Sequence, residues 1–215
     1  MPHYLKYILI VCFLEGASVM GVELIGAKLI APWFGTSLYV WTSVIGISML
    51  GLATGYYLGG RLSRQENIAT RLKILLALAA FFIAIMPITS DIIMQMTQMM
   101  DVRWGSMISS IVFILPPLVF MGMVSPVVIR YCALEKEKTG HTAGLVFAAS
   151  TIGGVLSVLL CGFYFLPLWG LYNSAWFFAG LMLSSTVIAH HVNKYRDVII
   201  YEKDAKAAAY YSSSQ

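Results

Sequence analysis

The distribution of apolar and polar residues along the chain predicts a row of membrane-crossing helices. Long apolar runs are separated by short breaks that are polar or rich in proline and glycine. Such runs match the about 20 residues that a helix needs to cross the hydrocarbon layer of a bilayer. We therefore expect an all-α, polytopic membrane bundle of about six transmembrane helices. The predicted helices are Leu5–Ile30, Leu38–Gly60, Leu72–Thr89, Ser106–Arg130, Ala143–Leu166 and Leu171–His190.

The basic residues predict the orientation of this bundle. Of the 14 Lys and Arg residues, only Lys28 and Arg103 fall toward one side, and the other twelve flank the opposite helix ends. Cytoplasmic loops carry an excess of Lys and Arg, so we expect both termini to be cytoplasmic in a multi-pass protein of the cell inner membrane. Arg61 and Arg130 then mark the inner membrane boundary.

The chain is expected to divide into a transmembrane domain, residues 1–191, and a cytoplasmic tail, residues 192–215. The tail mixes apolar and charged residues before a serine-rich end. Two structures remain open for it, a short helix on the membrane surface or a disordered segment.

Composition excludes several classes of function. The 215 residues are 59% apolar and 11% charged, with a mean hydropathy of +0.80, whereas soluble domains carry about 25% charged residues. Six spans leave no room for a sizeable soluble catalytic domain. Three distant cysteines form no metal or disulfide pattern, so we expect no metal and no cofactor. The net charge of +4 lies in membrane-flanking loops, and nucleic acid is therefore not an expected partner.

Glu15 and Glu23 are the candidate site residues, because both stand inside the first apolar run. On one helix they are separated by about 12 Å along the axis and about 80° around it. A carboxylate that faces lipid costs several kcal/mol, so both should point into the bundle. There they bind a cation or carry protons, or they only fix helix packing.

Two helices carry small residues with the spacing of close helix contacts. Small residues let membrane helices approach closely, and we expect this role rather than a ligand site. The candidates are Gly51, Gly55 and Gly59 in the second helix and Gly144 and Gly153 in the fifth.

The fourth predicted helix contains prolines that should kink or break it. Pro116 and Pro117 lie in its middle and Pro126 lies near its inner end. Each proline removes a backbone donor and crowds the preceding turn. Broken helices bind substrate in some transporters, but prolines are also common in ordinary membrane helices.

The outer segment between the third and fourth helices is rich in methionine between Met94 and Met100. Thioether sulfurs bind Cu(I). An amphipathic helix lying on the bilayer surface explains the same residues, and we expect that structure instead.

Three blocks of the sequence resemble one family. They are EGASVMGVELIGAKLIAPWFGTSLYVWTSVIGISMLGLATGYYLGGRL, MGMVSPVVIR and GHTAGLVFAASTIGGVLSVLLCGFYFLPLWG. The stretch of about residues 10–180 is similar to bacterial integral-membrane spermidine-synthase-like proteins, also described as membrane polyamine aminopropyltransferases or fused transporter/spermidine synthases. The resemblance implies a membrane fold, a link to polyamines and an important role for Glu15 and Glu23. Members usually continue into a soluble aminopropyltransferase domain, whose sites match no position here, so we do not expect an enzyme.

Two functions are compatible with the sequence. In the first, a helix bundle binds or translocates a small cationic, polyamine-like solute, and a homodimer supplies enough helices for transport. In the second, the chain is a non-catalytic anchor or scaffold for a separate soluble enzyme or a larger membrane complex.

Overall fold

The computed structural model describes residues 3–65, 67–132 and 139–213 of the chain. These residues form seven α-helices and no strand, which confirms the prediction of an all-α bundle. Lys136 and Lys138, which belong to the inner group of basic residues, lie outside the described part. The helices are α1 (His3–Phe34), α2 (Leu38–Leu62), α3 (Ile68–Thr97), α4 (Val102–Phe113), α5 (Leu115–Cys132), α6 (Thr139–Leu160) and α7 (Leu166–Ser213), and a five-residue π-helical segment, Cys161–Phe165, joins α6 to α7.

The helices are long and apolar enough for a multi-pass membrane protein. Five stretches of the described residues meet the requirements of a membrane span. The last stretch has 53 residues, more than twice the about 20 that one crossing needs. The stretches are Leu5–Phe34, Leu38–Leu62, Ile68–Thr97, Leu115–Cys132 and Gly140–Val192.

Gly170 divides this last stretch into two crossings. Its backbone has φ 75° and ψ 178°, a conformation that glycine tolerates and other residues rarely adopt. The ring of Phe165 lies 4.8 Å from the ring of Phe177, although 12 residues of straight helix span about 18 Å. The chain therefore reverses direction at Gly170, between the fifth and sixth predicted helices.

The fourth crossing is built from α4 and α5. The two helices are separated at Ile114, just before Pro116 and Pro117. These prolines lack the N–H groups that would bond the carbonyls of the preceding turn, so the helix is interrupted there. By contrast, α5 continues through Pro126 without interruption.

Helix α2 packs closely along α5 through its glycine stripe. A Cβ atom on Gly51 would lie 3.1 Å from the Cβ of Leu118, and one on Gly59 would lie 2.6 Å from the carbonyl oxygen of Met123. Between them, a Cβ on Gly55 would overlap the carbonyl oxygen of Val119. The backbones of the two helices therefore approach as closely as glycine allows.

Helix α1 packs against α6, and the two helices run in the same direction. Gly153 of α6 lies against the backbone of Phe13, where a Cβ atom would overlap the Phe13 carbonyl oxygen. One residue further along α6, a Cβ on Gly154 would lie 2.7 Å from the side chain of Met20. Just beyond the end of α6, a Cβ atom on Gly162 would lie 4.0 Å from the side chain of Leu24. The contacts thus advance along both segments from Phe13 to Leu24, and α1 and α6 are parallel.

Gly144 makes no helix contact within the described part of the chain, contrary to its expected packing role there. Gly144 is exposed, and no heavy atom lies within 4 Å of a Cβ atom built on it. It precedes Gly153 by nine residues, which is about two and a half turns of helix. Gly144 therefore lies on the side of α6 opposite to the face that contacts α1.

We predict that alanine at Gly55 destabilises the protein and that alanine at Gly46 does not. The new methyl group of Gly55→Ala would meet the backbone of Val119 and Gly122, with Gly122 Cα at 2.9 Å. Overpacking of this kind costs about 1–3 kcal/mol. Gly46 lies on the same helix with nothing within 4 Å, so Gly46→Ala should be neutral or stabilising by up to about 1 kcal/mol. Thermal unfolding in detergent measures both, and equal effects would contradict the packing of α2 on α5.

The orientation of the bundle is tested by cysteine labelling. Gln65 and Gln98 are both exposed and lie near opposite ends of α3, whereas the native cysteines in the described part are buried. If the basic end is cytoplasmic, a membrane-impermeant maleimide will label Gln98→Cys in intact cells and Gln65→Cys only after the membrane is opened. The reverse pattern would place the termini outside the cell.

Candidate functional site

Glu15 is buried where α1 meets α6. Its side chain is 3% exposed, and the hydroxyl group of Ser150 donates a hydrogen bond of 3.1 Å to its Oε2 atom. The close contact depends on Gly16, because a Cβ atom there would overlap the carbonyl oxygen of Ser150. A glycine on one helix thus lets the serine of the other reach the carboxylate.

The structure leaves the carboxylate of Glu15 largely uncompensated. An ionised carboxylate accepts about four hydrogen bonds, but the described residues supply one neutral donor and no basic partner. A buried charge is costly unless it is paired and fully hydrogen-bonded. Glu15 in this apolar setting therefore needs either a proton or a cation beside it.

Glu15 lies in the wall of a cavity of about 430 Å³ between α1, α2, α5 and α6. Protein cavities that bind small molecules commonly measure about 300–1,000 Å³. Most of the lining is apolar, and the polar residues besides Glu15 carry hydroxyl groups. Those residues are Tyr56, Ser125, Ser150 and Thr151. The cavity thus combines one acid, several hydroxyl-bearing residues and an apolar surface.

The structure does not bring Glu23 into this cavity. Glu23 is half-buried and is absent from the cavity lining. The structure gives it no hydrogen bond or ion pair within the described ranges. The two acids of α1 therefore do not face one shared enclosed space.

The other predicted residues lie away from the cavity. Arg61 is exposed and stacks on the ring of Tyr57, with its guanidinium carbon 4.5 Å from the ring centroid. Arg130 is exposed at the end of α5. Both positions suit charges at a membrane boundary, and neither supplies a positive partner to Glu15.

The methionine segment does not form a converging set of ligands. Met94 is 1% exposed, whereas Met96 is 72% exposed. Residues two apart on a helix point about 200° apart, so these two sulfurs face different directions on α3. Among the described residues, no group of three or more His, Cys, Asp or Glu side chains is placed to hold a metal ion.

Sequence reasoning missed Ser150 and the polar pair Asp91–Tyr172. Ser150 lies between small residues in α6 and shows no spacing that links it to Glu15. The hydroxyl group of Tyr172 donates a hydrogen bond to Asp91, which joins α7 to α3. An acidic residue just beyond the predicted end of the third helix was the available indication of this pair.

Comparison with known proteins gives no matching family model, no similar curated protein and no similar solved structure. The assignment of a function to this membrane protein therefore depends on the geometry around Glu15.

Proposed function

We propose that this membrane protein binds a small organic cation in the cavity between α1, α2, α5 and α6, with Glu15 as the counter-charge. One observation carries the proposal. Glu15 is 3% exposed, accepts one hydrogen bond from the described part of the chain, from Ser150, and lies in the wall of a cavity of about 430 Å³.

An ionised carboxylate in an apolar setting carries a high free-energy cost. Ionisable groups inside membrane helices are expensive, and they pair or line a path for ions or substrate. An ammonium group would supply both the positive charge and the hydrogen-bond donors that the described residues do not give Glu15. The remaining N–H groups of the ammonium have hydroxyl oxygens within the same cavity, on Tyr56, Ser125 and Thr151.

Transport of the bound cation across the cell inner membrane extends this proposal. Glu23 follows Glu15 by about 12 Å along α1 and offers a second negative charge on the way to the outer side. The polyamine expectation required both acids to face one solute. Glu23 does not line the cavity, so the cavity itself presents one carboxylate.

The proposal predicts that Glu15→Gln strongly weakens cation binding and that Glu23→Gln keeps it. Glutamine preserves the size of the side chain but removes the charge. A hydrogen bond to a charged group contributes about 1.5–3 kcal/mol, so binding should weaken at least about tenfold. Purified protein in lipid nanodiscs is titrated with n-butylammonium and with spermidine, and binding is measured by calorimetry. Wild-type protein and Glu23→Gln should bind at least one of these probes saturably.

Two controls make the result decisive. Circular dichroism and thermal unfolding establish that both variants are folded and inserted. Equal binding by Glu15→Gln and wild type would overturn the proposal, as would the absence of saturable binding in the wild type. Stoichiometric co-purification of another polypeptide, without any response to the cations, would favour the scaffold function instead.

A further inference from the structure

The cavity at Glu15 opens sideways between α2 and α6. Helix α2 packs on α5, and α6 packs on α1, but α2 and α6 are not packed against each other. Three cavity-lining residues of α6 are also on the outer surface: Phe147 is 49%, Val155 56% and Leu159 49% exposed. In a membrane-spanning bundle this surface faces lipid. The opening therefore leads toward the bilayer.

The lining changes from polar to apolar along the cavity. Because α1 and α6 are parallel, Glu15 lies level with Ser150 and Thr151, and the next turns of α6 contribute Val155 and Leu159. Those turns extend about 12 Å beyond Thr151. Apart from Phe147, which precedes Ser150 by one turn, the Glu15 end of the cavity thus suits a charged group, and the rest suits hydrocarbon.

Helices α2 and α5 line the same cavity, where α2 repeats this division and α5 contributes Ser125 alone. They run opposite to α1, since α2 follows the first crossing and α5 is parallel to α2. Tyr56 therefore lies toward the Glu15 end, and Leu52, one turn earlier in α2, lies toward the apolar end. The three helices that line both ends of the cavity, α1, α2 and α6, therefore agree on which end is polar.

From this division we infer that the ligand is an amphiphilic monoamine, with one ammonium group at Glu15 and an apolar chain in the cleft between α2 and α6. The inference rests on the proposed cation site and names its ligand class. The cavity volume equals about fourteen water volumes of about 30 Å³ each, enough for an amine with a medium alkyl chain. A polyamine would place a second ammonium group among Leu52, Val155 and Leu159, where no acid lines the cavity.

A series of amines tests this inference on the full chain in phosphatidylcholine nanodiscs. Wild type and Glu15→Gln are each titrated with ethylamine, n-butylamine, n-hexylamine and n-octylamine. The titration of Glu15→Gln reports the uptake of amine by the lipid alone. Once the Glu15→Gln signal is subtracted from the wild-type signal, the affinity of the wild-type site for amine should rise up to about fourfold for each added CH₂ group that enters the cleft. The diamine 1,8-diaminooctane should bind at least tenfold more weakly than n-octylamine, because its second charge would be buried without a partner.

A cleft-filling variant tests where the chain lies. Val155→Trp should weaken n-octylamine binding at least tenfold and change ethylamine binding less than twofold. Leu156→Trp is the matched control, because Leu156 is 45% exposed on the same helix but does not line the cavity. It should leave both affinities unchanged.

The outcomes separate this inference from the proposed function. If affinity does not rise with chain length, or if the diamine binds more tightly than n-octylamine, the monoamine class is wrong. The cation site then stands, provided that Glu15→Gln still loses binding. If Glu15→Gln binds every amine as wild type does, both proposals fail. If Val155→Trp and Leu156→Trp weaken n-octylamine binding equally, the alkyl chain of the amine does not lie in the cleft.

Discussion

The close approach of α1 to α6 is the contact on which the site depends. Gly16 lies against the backbone of Ser150, and Gly153 lies against the backbone of Phe13. Within a membrane, helices associate through van der Waals packing and short polar contacts, because lipid is as apolar as the side chains. Removing side chains at these two positions brings the backbones together. Glu15 is thereby held in the interface, where Ser150 is the donor within reach.

The cavity follows from how the helices pair. The α2–α5 pair and the α1–α6 pair each meet through glycines with no room for a Cβ atom. Each pair therefore has a narrow and closely packed contact face. Where the two pairs meet, the outer members α2 and α6 remain apart, and the gap between them is the cleft. The glycine-mediated pairing of the helices therefore explains both the close packing within each pair and the cavity between the pairs.

Much of the fold was predictable from local patterns, but the site was not. Apolar run length indicates the helices, and the double proline in the first turn of α5 indicates the break at Ile114. Periodicity cannot say which helix a residue faces. The small-residue pattern therefore included Gly144, on the free side of α6, and missed the link between Ser150 and Glu15. In the same way, spacing on α1 placed Glu15 and Glu23 on one broad face, although only Glu15 meets the cavity.

The combination of a buried acid and an unfilled space argues for a ligand on energetic grounds. A cleft that the helices leave unfilled loses packing contacts between α2 and α6, and a carboxylate with one neutral donor among the described residues adds a desolvation cost. An apolar residue at position 15 and larger side chains on α6 would remove both costs without disturbing the glycine contacts. Natural proteins retain such destabilising features where function needs them. One cation bound between α2 and α6 would both compensate the charge of Glu15 and fill the cleft, and a purely architectural role would require neither.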